Sequence, residues 1–205
     1  MKTKTIIATL ALAGFAAATQ ANTIDFSANG FNNALGTSSI FNQGGTSITA
    51  YGFGPSGPVN LFSKNQGISG ENGLGLVNDP NAGQNEITPG SFIQLGLPTT
   101  PASTLNLIFN ESITTGLETA TIWWSATLGS LGLQIGTLTA DGSFAIPGIY
   151  ANATGFLGVS AGAGNVLLEK LDVTPRTNTP DGGATLILLG SALSAASLIR
   201  RKLIA

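Results

Sequence analysis

Residues 119–144 read Thr-Ala-Thr-Ile-Trp-Trp-Ser-Ala-Thr-Leu-Gly-Ser-Leu-Gly-Leu-Gln-Ile-Gly-Thr-Leu-Thr-Ala-Asp-Gly-Ser-Phe, and the pattern in them decides the fold class. Ile122, Trp124 and Ala126 alternate with Thr121, Trp123 and Ser125, which is the period of two that a strand requires. Leu131, Leu133 and Ile135 continue the alternation as far as Gly136, where a bulge is expected. Thr-Ala-Asp141-Gly142-Ser-Phe144 reads as a hairpin turn, because Asp-Gly accepts the positive φ of a tight connection. Working outward, Leu105, Leu107 and Phe109 alternate in the same way with Thr104, Asn106 and Ile108. Short apolar runs separated by Gly, Asn and Pro predict further strands near residues 23–26, 47–53, 59–62, 91–95, 143–146, 155–160 and 166–173. No stretch between residues 22 and 178 carries a helical period. Ten or so short strands with such turns predict an all-β domain, a β-sandwich of jelly-roll type. Residues 64–90 are more polar and read as a long loop, the kind of segment that often carries function.

Charge narrows the partners. Residues 22–178 hold nine acids against three bases, a net charge of −6, while five of the eight bases lie near the two ends of the chain. An acidic surface argues against nucleic acid, whose binders need a basic footprint. The chain has no cysteine and no histidine. That removes disulfides, Ser-His-Asp and Cys-His catalysis, and His-ligated zinc.

The two ends read as export signals. Lys2 and Lys4 precede the apolar stretch 6–18, and Thr19-Gln20-Ala21 supplies small residues for cleavage after Ala21, so residues 1–21 are expected to form a signal-peptide helix. Residues 183–199 are uncharged and apolar, and Arg200-Arg201-Lys202 follow. As a transmembrane helix these 17 residues span ~25 Å, enough to cross a thin bilayer with the basic triplet held on the cytoplasmic side. Pro180-Asp181-Gly182-Gly183 stands directly before that run. Motif, apolar helix and basic stop together resemble the PEP-CTERM sorting signal of bacterial exosortase substrates, in the variant that reads Val-Pro-Asp-Ser/Gly-Gly, with Thr179 in place of Val. The resemblance covers residues 179–202. It implies recognition by a membrane exosortase, removal of the tail, passage through the inner membrane, and delivery to the cell envelope, outer surface or extracellular matrix. Residues 61–67, 71–76, 85–95 and 164–175 also resemble the β-sandwich ectodomains common among such substrates, which adds fold and location but no chemistry. The expected organisation is a signal peptide over 1–21, an ectodomain over 22–173, a linker over 174–178 and the sorting signal over 179–205.

Three clusters are candidates for chemistry. Glu71, Asn72, Asp79 and Glu86 offer oxygens that suit calcium, yet no Asp-x-Asp-x-Asp-Gly spacing is present, and solvated turn residues are the simpler reading. Glu111 and Glu118 flank a short turn and are candidates for a glycosidase pair, although exposed rim charges fit them better. Trp123 and Trp124 must face opposite sides of a strand. One belongs in the core, and the other lies on the outer face, either covered by a neighbouring loop or free to stack on sugar. Asn110-Glu-Ser and Asn152-Ala-Thr match the glycosylation sequon, read as chance in a bacterial export context. The balance favours a non-catalytic structural or matrix protein with no metal and no cofactor. A carbohydrate-binding module associated with exopolysaccharide is the alternative, and an enzyme comes last.

Overall fold

The computed structural model describes residues 21–27, 32–66, 71–77, 84–97, 102–109, 113, 115–175 and the single positions 189 and 193. Among these the chain is all-β. Its elements are β1 (Asn22–Asp25), β2 (Asn33–Gly36), β3 (Ser38–Gln43), β4 (Thr46–Gly54), β5 (Gly57–Pro58), β6 (Leu61–Asn65), β7 (Asn72–Leu76), β8 (Phe92–Gly96), β9 (Ala102–Phe109), β10 (Thr119–Ser125), β11 (Leu133–Leu138), β12 (Gly142–Ala145), one helical turn α1 (Gly148–Ala151), β13 (Phe156–Ala163) and β14 (Lys170–Pro175).

Three antiparallel sheets form. One runs β1-β14-β9-β12, a second β11-β10-β13-β8-β4-β3 with β5 paired to β4, and a third β2-β6-β7. The first and last strands tie distant chain together: β1 pairs with β14, setting Asn22 opposite Val173 and Asp25 opposite Lys170. β14 runs through Pro175, two residues into the segment expected to be linker. Side chains from all three sheets meet in one core. The alternation seen in the sequence is what fills it. Ile122 on β10, Ile93 and Leu95 on β8, Leu157 and Val159 on β13, and Leu105, Leu107 and Phe109 on β9 are all fully buried. Each such side chain contributes about 1.5–3 kcal/mol of transfer free energy. Phe26, just after β1, packs edge-on against Phe41 of β3 with ring centroids 4.9 Å apart.

Two local expectations change. The turn at Asp141-Gly142 is present, with Gly142 at φ +152°, but it does not close a hairpin. β11 belongs to the seven-stranded sheet, whereas β12 pairs with β9, so the chain changes sheets at this turn. Phe144 explains the change: it lies opposite Leu107 and packs against the core, and its ring occupies the space a side chain at position 136 would need. The β10–β11 register shifts between Ile122 and Trp123, where Gly136 and then Gln134 are the partners, so Ile135 is the extra residue, one position before the glycine where the bulge was expected.

The segment read as a loop also holds β7. Asn-Gly-Leu-Gly-Leu has poor strand propensity, yet here its glycines permit backbone contact. A Cβ on Gly75 would sit 1.9 Å from the Asn85 carbonyl oxygen, and one on Gly73 would sit 2.8 Å from that of Leu168. Bare backbone at these points lets Leu74 exchange hydrogen bonds with Leu168 (2.8 and 3.1 Å), and Ile87 does the same with Val166 (2.9 and 3.0 Å). The expected consequence is that Gly75→Ala costs about 1–3 kcal/mol by forcing the 84–87 segment away. Gly148→Ala, in open space, should change stability by less than about 0.5 kcal/mol. Urea unfolding of the two variants checks the difference.

Candidate functional site

Two places combine polar chemistry with defined geometry. The first is the outer face of the seven-stranded sheet. The residues that alternate with the core positions line up there in register across four strands. One row runs Phe53, Phe92, Ser160, Thr121, the next Tyr51, Gln94, Gly158, Trp123, and the third Thr49, Gly96, Phe156, Ser125. Five aromatics therefore share this face. Phe53 stacks on Phe92 with centroids 4.9 Å apart, and Tyr51 meets Phe156 edge-on at 6.1 Å.

Segment 126–132 folds back over the middle row. Gln94 is fully buried and pins it: its Nε2 donates to the Ser130 carbonyl at 2.7 Å and the Thr127 carbonyl at 3.3 Å, and its Oε1 accepts the Gly129 N–H at 2.6 Å. Ser125 Oγ accepts the Thr127 N–H at 3.1 Å and completes the turn. Trp123 is half-buried, and its indole N–H donates to Ser160 Oγ at 2.9 Å. Trp123 is thus the outer of the two tryptophans, held beside a covering loop. Trp124 is the inner one. It packs on the core and tilts against Tyr150 of α1 at 5.4 Å. Its buried indole N–H finds no hydrogen-bond partner among the described residues.

The second place is the cluster of Lys64, Glu71 and Glu86. β6 carries Lys64 inward, with only 2% of the residue exposed. Its Nζ lies 2.5 Å from Glu71 Oε2 and 2.6 Å from Glu86 Oε1. Glu86 is buried with it, while the Glu71 side chain is 46% exposed. An unmatched buried ammonium would be strongly destabilising, so the two carboxyls are a condition of its burial. Burial opposes the charge on Lys64, but its hydrogen bonds to Glu71 and Glu86 prevail and hold the ammonium above its usual pKa. Burial also pushes Glu86 up to about 7, helped by the Glu71 carboxyl and opposed by Lys64. Burial acts on Glu71 in the same direction, yet hydrogen bonds from Lys64 and Glu86 bring it below the usual carboxylate value. Near neutrality the cluster is one ammonium, one carboxylate on Glu71, and a proton shared toward Glu86.

The candidates from sequence fare differently. Glu71 and Glu86 do converge, but on an internal ammonium. Asn72 points elsewhere, its Oδ1 accepting the Gln66 N–H at 2.8 Å. Asp79 lies outside the described residues. Among the described residues no group of three or more acidic, histidine or cysteine side chains is placed to hold a metal. Glu118 precedes β10, whereas Glu111 lies outside the described residues, as do Asn110, the sorting motif Pro180, Asp181, Gly182 and Gly183, the basic stop Arg200, Arg201 and Lys202, and residues 1–20. Asn152 is exposed and donates to the Gly148 carbonyl at 2.7 Å. Among the described residues no helix is long and apolar enough to cross a membrane.

Sequence reasoning missed Lys64 and Gln94. The signal for Lys64 was its isolation, since no other base falls between residues 22 and 169 while three acids lie within 64–90. For Gln94 it was a lone amide inside Phe-Ile-Gln-Leu. Comparison of the chain with protein-family models, curated proteins and solved structures yields no match.

Trp124→Ala is expected to cost about 3–5 kcal/mol, and Trp123→Ala clearly less. Trp124→Phe should be mild because no hydrogen bond of the indole is lost. Chemical denaturation of the three variants reads this ranking directly.

Proposed function

We propose that this chain is an exported bacterial surface or extracellular-matrix protein, delivered by an exosortase, whose jelly-roll-like β-sandwich ectodomain works by association and not by turnover. The observation that carries the reading is Pro180-Asp181-Gly182-Gly183 set before an uncharged apolar run and Arg200-Arg201-Lys202. A membrane protease needs a short extended motif that it can grip at the bilayer surface. An apolar helix with a basic stop holds the substrate there during cleavage. The apolar stretch 6–18 behind Lys2 and Lys4 supports export independently.

The ectodomain's character fits such a role. Its net negative charge suits an aqueous exterior and not a nucleic-acid partner. The buried ionisable cluster among the described residues is matched internally, which is the behaviour of a structural element. A second reading, a module that binds exopolysaccharide, draws on one observation: the half-buried aromatics Tyr51, Phe156 and Trp123 share an outer sheet face with polar neighbours. Aromatic faces stack on the apolar faces of sugar rings, and flanking amides and hydroxyls supply hydrogen bonds.

Two experiments divide these readings. In a host that carries the matching exosortase, mass spectrometry of the surface-released protein should find a C-terminus near residue 180 and no peptide from 183–205. Recovery of the intact tail on mature surface protein contradicts the sorting reading and leaves a plain anchor. Polysaccharide pull-down with the released protein tests the second reading. Retention that falls at least about tenfold in Tyr51→Ala, with an unchanged circular dichroism spectrum, favours a glycan-binding face, since a lost stacking contact is worth about 1.4 kcal/mol or more. No retention of the wild type leaves a structural role.

A further inference from the structure

We propose that Lys64 and Glu86 condense into an intramolecular amide, an isopeptide cross-link between β6 and the segment that leads into β8, with Glu71 as the general acid–base. This inference is independent of the sorting reading. It starts from the arrangement of the cluster. A nucleophile, an acyl group and a proton shuttle stand in contact in a place where only the shuttle reaches solvent.

The nucleophile is a primary amine that is almost fully buried. Its two carboxyl partners hold the proton on Lys64 at rest, so attack requires that this proton first pass to a carboxylate in contact with it. The acyl group is the Glu86 carboxyl, whose Oε1 is 2.6 Å from Lys64 Nζ, with Cδ one bond behind that oxygen. Near-attack geometries place reacting atoms about 3–3.5 Å apart, and groups fixed in this way reach effective molarities of about 10⁵ M or more. The shuttle is Glu71, with Oε2 2.5 Å from the same Nζ. Both carboxyls meet the same Nζ, and each shifts the titration of the other. Their environments separate their roles, because burial raises Glu86 to about 7, so that near neutrality a large fraction of it carries a proton, whereas Lys64 holds Glu71 below the usual carboxylate value. Acyl transfer to an amine needs this division, since a carboxylate is a poor acyl donor and a neutral carboxylic acid a usable one.

The step balances without any other reagent. Glu71 takes a proton from the Lys64 ammonium, and the free amine attacks Glu86 Cδ to form the C–N bond. The tetrahedral adduct loses its second amine proton through the shuttle, and the C–OH bond breaks as water leaves. One ammonium, one carboxylate and one carboxylic acid become one amide, one carboxylic acid on Glu71, and one water. Glu71, half exposed, then returns its proton to solvent. A low-dielectric site favours the reaction, because the buried ammonium charge disappears. The backbone closes tightly over the site and leaves little room for water: on the face of β7 that Lys64 shares, a Cβ on Gly75 would sit 2.9 Å from Glu86 Cα. Such a bond would staple residues 64 and 86 around β7 in a chain that has no cysteine with which to make a disulfide.

The test reads the unmutated protein, so it does not depend on a variant folding. The purified full chain is denatured, digested with trypsin and analysed by mass spectrometry. The expected result is no cleavage after Lys64 and a looped peptide that ends at Lys170 and is one water lighter than its sequence mass, with fragmentation placing the junction on Lys64 and Glu86. Lys64→Arg, which keeps the charge but cannot form this amide, should regain the full mass. Glu71→Gln should slow the loss of water by at least tenfold after refolding. Complete cleavage after Lys64 in aged, folded wild-type protein overturns the proposal and leaves an ion cluster. A mass deficit that persists in Lys64→Arg, or that maps to Asp141-Gly142, also overturns it.

Discussion

An ammonium buried in a protein must be matched where it lies, and Lys64 imposes that requirement on everything around it. Its partners come from two sides of a polar, glycine-rich segment with little strand propensity of its own. Glu71 precedes β7 and Glu86 follows it, so meeting the charge bends the segment around the third sheet. Gly73 and Gly75 then allow the backbones to close without side chains between them. The bridges from Leu74 to Leu168 and from Ile87 to Val166 carry the constraint to the approach to β14, and β14 pairs with β1. Through this chain of contacts one buried charge links the smallest sheet to the strands that join the two ends of the described domain.

The outer face of the large sheet follows a different rule. There a neutral amide, Gln94, spends its donor and acceptor on the turn that covers it, and the aromatics stack in pairs around it. The two places divide the work: the ion cluster fixes internal structure, and the outer face is what the domain can offer to a partner. Its acidic, histidine-free composition is consistent with association and offers little to acid–base chemistry at an exposed site.

Much of the fold was legible because alternation is a direct record of a half-buried sheet. Every strand expected from sequence is present, from the one at 23–26 to the one at 166–173, with ends shifted by a few residues. The assignment of Trp123 and Trp124 to opposite faces followed from the same period. The strands left unread, β2, β3, β5 and β7, are short or glycine-rich, or hold a single apolar pair among polar residues, as β3 does with Ile40 and Phe41. Their pairing is decided by neighbours distant in sequence. The change of sheet after β11 was hidden for a related reason, since Asp-Gly specifies a turn and not the partner of the strand that follows. The ion cluster was half legible. Glu71 and Glu86 were singled out for their oxygens, but the cation they serve is Lys64 of the chain itself, and no local pattern records that a lysine side chain turns inward.

If the charge buried at Lys64 organises residues 71–77 and 84–87, its removal in Lys64→Met must loosen them, and hydrogen exchange measures that loosening. Amide protection should fall at Leu74, Ile87, Val166 and Leu168, while amides of β4, β8, β10 and β13 stay protected. Unchanged protection at those four amides would contradict it, because the segment would then be held by backbone and apolar contacts alone.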